Sequence, residues 1–212
     1  ARYLRLTVPE NNAAGDSAAD APTRWSLREV SVRPLAWAAT RNDFLRAFAQ
    51  DARRGLFPRG MRDEQAFWTI AGVDAAEEEA LVSADGAVEI DKAGYSIEPF
   101  LFAGGALLTW ADVEIAQSLE GGCLPIPTVT WRSPATELEL AVTAVARGPR
   151  DSSALLLRYA VRNASARRAT PRLFLAARPF QVNPPSQFLN ATGGWARLDS
   201  LGLRGDVLGI NG

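Results

Sequence analysis

The chain has 212 residues, enough for one large domain or for one domain of about 150 residues with a smaller remnant. It carries 23 basic and 24 acidic side chains, and this balance excludes the electrostatic signature of a nucleic-acid-binding or anionic-membrane-binding surface. It has no histidine, which excludes most hydrolase triads and the commonest metal ligand. Carboxylate-pair chemistry stays open, because glycoside hydrolysis needs only two acidic side chains.

The chain contains one cysteine, Cys123, which excludes an internal disulfide and a zinc cluster built on cysteines. It follows two glycines, and this pattern favours a turn over a nucleophilic site. No apolar run reaches the length of about 18 residues that a membrane span requires, so no membrane partner is expected. We predict no catalytic residue, no metal and no cofactor within the chain. Its location in the cell is left open.

Two β-strand patterns open the chain, at residues 1–6 and 25–32, with a polar stretch between them. No further strand pattern precedes these two in the chain for them to pair with. We therefore expect residues 1–33 to be the end of a domain and the chain to be a piece of a larger protein.

One helix is predicted, over residues 42–54 of a linker that spans residues 34–66. Apolar residues recur there at helical spacing, Asn42 is placed to cap the start, and Gly55 is placed to end the helix. The aromatic stripe of this helix is expected to dock the preceding segment onto the next domain.

Residues 67–212 show short strands separated by turn residues, which predicts an all-β domain: a two-sheet antiparallel β-sandwich (supersandwich) with the one short linker helix before it. The Asp85-Gly86 pair predicts a tight hairpin. Residues 172–182 begin as a continuous apolar run, typical of a central strand covered on both faces, and we expect this strand to neighbour 137–147 and 155–161 in one sheet. The predicted strands are 67–73, 79–83, 87–90, 97–102, 107–110, 137–147, 155–161, 172–182, 195–198 and 205–210.

Two segments carry candidate ligand-binding residues. Trp110 and Asp112 place an aromatic face beside an acid at a predicted strand end, a combination that suits the apolar face and the hydroxyls of a sugar. Arg178, Gln181 and Asn183 lie in a proline-rich segment, where a fixed backbone reduces the entropy lost on binding. A core position for Trp110 and a rigid interdomain joint at 178–185 remain alternatives.

Acidic residues also surround the first predicted hairpins, and Glu89 and Asp91 are among them. A pair of these carboxylates could supply an acid and a base. Charges around exposed turns are more often a solvated face, which is the interpretation we favour.

Several phrases of the sequence resemble known families. Residues 1–6 (ARYLRL) and 25–32 (WSLREVSV) resemble the last two strands of a discoidin, or coagulation factor 5/8 type C, domain. Residues 67–212 resemble the N-terminal β-sandwich of bacterial multidomain proteins related to glycoside hydrolases with an (α/α)₆ barrel. The phrases that carry this resemblance are FWTIAGV at 67–73, GYSIEPFL at 94–101, LTWADV at 108–113 and RPFQVNPP at 178–185.

This resemblance implies a noncatalytic sandwich that supports a C-terminal helical-barrel domain of the same parent chain and contacts its carbohydrate. The parent would be a glycoside hydrolase or a phosphorylase-like enzyme whose acid and base lie on the barrel. Two alternatives are kept. An autonomous carbohydrate-binding module would need Trp110, Trp131 or Trp195 exposed beside a groove, and a mutarotase-like epimerase is disfavoured because its site generally uses histidine.

Overall fold

The structure is a computed structural model that describes residues 30–211, without the side chains of residues 35 and 36. The chain divides into two compact units, residues 1–33 and 34–212. The predicted strand at 1–6 and nearly all of that at 25–32 lie outside the described residues. The predicted linker, 34–66, belongs to the second unit.

One α-helix, α1, spans Arg41–Asp51 and confirms the predicted helix with both ends shifted. It ends at Asp51, with Ala52 as its C-cap, and not at Gly55. The cap is Thr40 and not Asn42, because the Thr40 side chain accepts from the Asp43 N–H while the Asp43 carboxylate accepts from the Thr40 N–H. Short 3-10 helices lie at Leu35–Ala38, Arg59–Arg62 and Trp110–Asp112.

Twelve antiparallel strands form three sheets within the described residues. Sheet A has the order β1-β2-β3-β4-β10, with β5 also paired to β4. Sheet B has the order β6-β7-β8-β9, and β11 with β12 forms a separate hairpin. The strands are β1 Trp68–Ala71, β2 Ala80–Ser83, β3 Val88–Glu89, β4 Ser96–Ala103, β5 Ala106–Leu108, β6 Glu114–Glu120, β7 Leu124–Arg132, β8 Leu138–Arg147, β9 Ala154–Asn163, β10 Arg172–Arg178, β11 Leu201–Arg204 and β12 Val207–Ile210.

The main core lies between sheets A and B. Val82 and Val88 of sheet A join Trp131, Leu140 and Val142 of sheet B in one apolar cluster, and all five side chains are buried. The inward positions of β8 alternate with less buried ones, as its sequence pattern predicts. The all-β class and the antiparallel two-sheet sandwich with one short helix are therefore confirmed.

The predicted central strand at 172–182 is corrected by the structure. The strand β10 ends at residue 178, pairs only with β4, and lies at the edge of sheet A rather than beside β8 and β9. Phe174 and Leu175 are half exposed, so its apolar run is not covered on both faces. The strand that is covered on both sides near its start is β4, where Ser96, Glu98 and Pro99 are buried.

Other strands also differ from the sequence prediction. The strands β6 and β7 are missing from it, because β7 carries two prolines and β6 is almost entirely exposed. Cys123 lies in the turn between them and is exposed, as the Gly-Gly-Cys pattern predicts. Residues 195–198 form no strand beyond a single bridge from Trp195 to Phe180.

A covering layer lies on the outer face of sheet A. We use this name for residues 40–66, which include α1, together with residues 179–196. Its apolar centre joins Ala49, Met61 and Phe180. Asn42 does not cap α1; its side chain donates to the Gly193 carbonyl and accepts from the Trp195 N–H. The sandwich is therefore a structure of three layers, two sheets and this cover.

The inter-sheet core gives a first test of the fold. Leu140 is completely buried, and L140A should lower the free energy of unfolding by about 2–5 kcal/mol through lost apolar contact and the cavity that remains. L175A, at a half-exposed edge position, should change it by about 0.5 kcal/mol or less. Urea denaturation of both variants measures the contrast, and equal losses would contradict the assigned core.

Candidate functional site

The outer face of sheet A carries charged groups that are buried beneath the covering layer. Strand register places Glu89 opposite Ser96 and Ser96 opposite Arg178, so these side chains share one face of the sheet. Val88, next to Glu89, points to the inter-sheet core instead. Because side chains alternate along each strand, polar side chains lie on one face of this part of sheet A and apolar side chains pack on the other.

Arg178 forms an ion pair with Glu98 on this face. Its Nη1 atom lies 2.8 Å from Glu98 Oε2, and Ser96 Oγ donates to Glu98 Oε1 at 3.0 Å. The Arg178 guanidinium also lies 4.6 Å from the centre of the Phe180 ring and 5.5 Å from that of Phe57. Arg178 is therefore enclosed by its own protein, which makes it a structural cation between sheet A and the covering layer.

Glu89 connects β3 to the segment that carries Gln181 and Asn183. Its Oε2 atom accepts the backbone N–H groups of Val182 at 2.7 Å and of Asn183 at 3.1 Å. Glu89 is buried, and burial raises the pKa of its carboxyl group. This contact fixes the backbone of residues 182 and 183 against the sheet.

Glycines allow the covering layer to make this approach. Gly194 has φ +99°, and a β-carbon there would lie 2.6 Å from Asn42 Oδ1. A β-carbon on Gly193 would lie 2.2 Å from the Pro184 carbonyl oxygen. A side chain at either position would push residues 183–185 away from α1 and the sheet.

Trp110 and Asp112 lie in a 3-10 helix rather than at a strand end. Trp110 is 6% exposed, and its Nε1–H donates to the Phe57 carbonyl at 3.1 Å. The guanidinium groups of Arg54 and Arg59 lie against its ring. Asp112 caps the turn by accepting from Thr109 N–H and Oγ1–H. Trp110 therefore occupies a core position, which the sequence analysis kept as an alternative to a sugar contact.

Gln181 and Asn183 are buried, and each keeps one amide oxygen without a hydrogen-bond partner. The Gln181 Nε2 group donates to the Thr192 and Trp195 carbonyls at 3.0 and 2.7 Å. These two acceptors fix the orientation of the amide, because the reverse orientation would place its oxygen against two carbonyls. With the amide held in this orientation, Gln181 Oε1 has no hydrogen-bond donor within reach.

A pocket of about 290 Å³ lies where Asn183 meets the edge of sheet A. We call it the Asn183 pocket. Trp68 and Ile70 supply an apolar wall, and the polar groups come from β3, the β3–β4 turn and the covering layer. Its polar lining includes Glu89, Lys92, Gln181 and Asn183. This volume is near the lower end of the range for small-molecule sites.

The five predicted site residues do not converge on one cavity. Gln181 and Asn183 line the Asn183 pocket, whereas Trp110 lines a separate cavity of about 30 Å³ that Gln181 also reaches. A cavity of that size holds one or two water molecules and no sugar ring. Asp112 and Arg178 line neither of these two sites.

The tryptophans that an autonomous sugar-binding module was expected to expose are placed differently. Trp110 and Trp131 are buried, and Trp195 is partly covered by the Arg41 guanidinium 4.1 Å from its ring centre. Trp68, on the edge strand β1, is the tryptophan that lines the Asn183 pocket. Sequence reasoning treated it as a strand residue. The sequence did contain one signal for the pocket. Glu89 is an acid between the apolar residues Val88 and Ile90 in a predicted strand, and it lines the pocket.

Within residues 30–211 there is no group of three or more acidic or cysteine side chains arranged to hold a metal ion. The same residues contain no helix with the length and apolar character needed to cross a bilayer. Comparison of the chain with protein-family models, with curated proteins and with solved structures finds no match.

The enclosed position of Arg178 predicts a large stability effect. R178A would leave the buried Glu98 carboxylate without its partner and should lower the free energy of unfolding by about 3–5 kcal/mol. R172A, on an exposed position of the same strand, is the matched control and should cost about 0.5 kcal/mol or less. Denaturant unfolding compares them. An R178A variant as stable as R172A would show that Arg178 has no structural role.

The buried Glu89 carboxyl predicts the sign of a pH effect. Because burial raises its pKa, the folded chain binds this proton more tightly than the unfolded chain. The resulting stabilisation is complete below the unfolded pKa of about 4.3 and is lost as pH rises through the folded pKa. The free energy of unfolding of the wild type minus that of E89Q should therefore fall as pH rises from about 4 toward neutrality. Urea titrations across this range measure the difference, and a constant or rising value would contradict the prediction.

Proposed function

We propose that this chain is a noncatalytic β-sandwich module of a carbohydrate-active, glycoside-hydrolase-like multidomain protein, and that it contacts sugar in the Asn183 pocket. The supporting role toward a C-terminal helical-barrel domain comes from the sequence resemblance of residues 67–212. The sugar contact rests on the pocket itself.

The observation that carries the proposal is that Trp68, Gln181 and Asn183 line one pocket, which sets an aromatic side chain beside two side-chain amides. Polar groups of this kind, placed in a mostly apolar pocket, orient a ligand by hydrogen bonds. Sugars combine hydroxyl donors with an apolar ring face that stacks on an aromatic side chain. The pocket presents complementary groups to both features.

The noncatalytic part of the proposal rests on how the buried carboxylates are used. Glu89 accepts from backbone N–H groups, Glu98 pairs with Arg178, and Asp85 pairs with Arg59 at 2.8 Å. These three acids are engaged by contacts within the fold, and the proposal places the general acid and base on the barrel domain.

An autonomous carbohydrate-binding module is the second candidate. The residues that line the Asn183 pocket all come from the second compact unit of this one chain. Sugar binding by the isolated chain would favour this candidate over a module that contacts sugar only beside a catalytic domain.

The test is a glycan array of neutral, N-acetylated, amine-bearing and acidic sugars, followed by titration of the best ligand. W68A should weaken binding by about tenfold or more, equivalent to about 1.4 kcal/mol, whereas W68F should retain most of the affinity. F174A, a half-exposed aromatic on the opposite edge strand, is the matched control and should bind like the wild type. Circular dichroism checks that each variant is folded. A blank array from a folded sample would contradict the sugar contact.

A further inference from the structure

Sheet B ends in two strand edges that no other strand of residues 30–211 pairs with. Its order is β6-β7-β8-β9, so β6 pairs only with β7, and β9 pairs only with β8. The strand β6 has seven residues and β9 has ten, and neither contains a proline or a glycine that would obstruct a further strand. The two edges therefore present backbone N–H and carbonyl groups to which another strand can bind.

A row of charges with alternating sign crosses the outer face of sheet B. Strand register places Glu114 of β6 opposite Arg132 of β7, and Arg132 opposite Glu139 of β8. Glu139 in turn lies opposite Arg162 of β9, and its carboxylate pairs with the guanidinium groups of both arginines. The row therefore begins with an acid at one free edge of the sheet and ends with a base at the other.

The backbone groups of the two free edges have the same phase. In an antiparallel ladder, alternate residues bond to one neighbouring strand and the residues between them face the other way. The Ala164 N–H donates to the Glu137 carbonyl, so the even-numbered residues of β9 bond to β8. The Ser133 N–H donates to the Leu138 carbonyl, so the even-numbered residues of β6 bond to β7. The odd-numbered residues of both strands therefore direct their backbone groups toward the free edges.

We infer that this chain self-associates head to tail, with β6 of one copy paired antiparallel to β9 of the next. The strands β6 and β9 run in opposite directions, so a second copy placed beside the first in the same orientation presents an antiparallel neighbour. With Glu114 opposite Arg162 of the next copy, the alternation of the charge row continues across the contact. This inference goes beyond the proposed function, because it concerns sheet B and not the Asn183 pocket.

The same register matches the inward-facing side chains of the two strands. Ile115 lies opposite Val161 of the next copy, and Leu119 lies opposite Leu157. All four are odd-numbered residues with backbone groups at a free edge, so the side chains and the hydrogen bonds agree in one register. Leu119 and Val161 are each 37% exposed, and the contact would cover part of this apolar surface.

Pairing of two identical edges lacks this complementarity. Two β6 edges would bring together the acids Glu114 and Glu120, and two β9 edges would bring together Arg158 and Arg162. Like charges on opposed strand positions destabilise the pair. A head-to-tail contact leaves one edge of each kind free on the assembly, so it forms rings or open chains. A contact made by one strand edge is small, and the association is therefore weak and depends on concentration.

The experiment is sedimentation velocity of the full chain from about 10 μM to about 1 mM, and the average mass should rise over this range. E114R and R162E should each weaken association by about tenfold or more, because each sets two like charges opposite one another. An equimolar mixture of the two variants should associate again, because the unchanged edge of each complements the unchanged edge of the other. Circular dichroism checks that both variants are folded.

The matched controls E78R and R172E make the same charge changes at exposed positions outside sheet B, and they should associate like the wild type. A second measurement needs no variant. Amide hydrogen exchange of the wild type should slow severalfold with concentration at the odd-numbered residues of 115–119 and 157–161, and unchanged exchange there in associated samples would contradict the contact.

Four sedimentation outcomes would overturn the inference. The first is a wild type that stays monomeric over the whole range. The second is association that R162E weakens and E114R leaves unchanged, because a head-to-tail contact needs both edges. The third is a mixture of the two folded variants that does not associate. The fourth is equal weakening by E78R or R172E, which would attribute the effect to the net charge of the chain.

Discussion

The contact between the Glu89 carboxylate and two backbone N–H groups of the covering layer is the constraint on which the rest of the site depends. The strand β3 has only two residues, Val88 and Glu89, and their side chains point to opposite faces of sheet A. Val88 packs into the inter-sheet core, while Glu89 holds residues 182 and 183 above the opposite face. Two adjacent side chains of opposite character therefore join all three layers of the molecule.

Burying charges on the outer face of sheet A is tolerated because each receives a partner from the layer above or beside it. Removing a charge from water is costly, and the Arg178–Glu98 pair within sheet A and the backbone donors of the covering layer offset that cost. Gly193 and Gly194 permit the close approach that this arrangement needs. The side-chain amide oxygens of Gln181 and Asn183 in the covering layer are buried without a hydrogen-bond partner.

The sequence predicted those parts of the fold that local pattern determines. The alternation of β8, the Asp85-Gly86 hairpin and the helix near residues 42–54 each depend on neighbours in the chain, and all three are present. The position of β10 depends on which sheet edge is free, and a continuous apolar run contains no information about that choice. The same limit applies to the site. Gln181 and Asn183 were visible as polar residues in a rigid segment, but their meeting with Trp68 is set by a long-range contact through Glu89.

Lys92 is the only lysine of the chain, and it lies exposed at the rim of the Asn183 pocket. Among the side chains of this sequence, amine-reactive reagents therefore reach a single position, and attachment there turns the pocket toward the matrix. Cys123, exposed in the β6–β7 turn of sheet B, provides a second unique anchor with different chemistry. Immobilisation through the thiol attaches the molecule through sheet B instead of through the rim of the pocket. The choice of coupling chemistry thus determines the orientation in which this molecule is presented to a ligand.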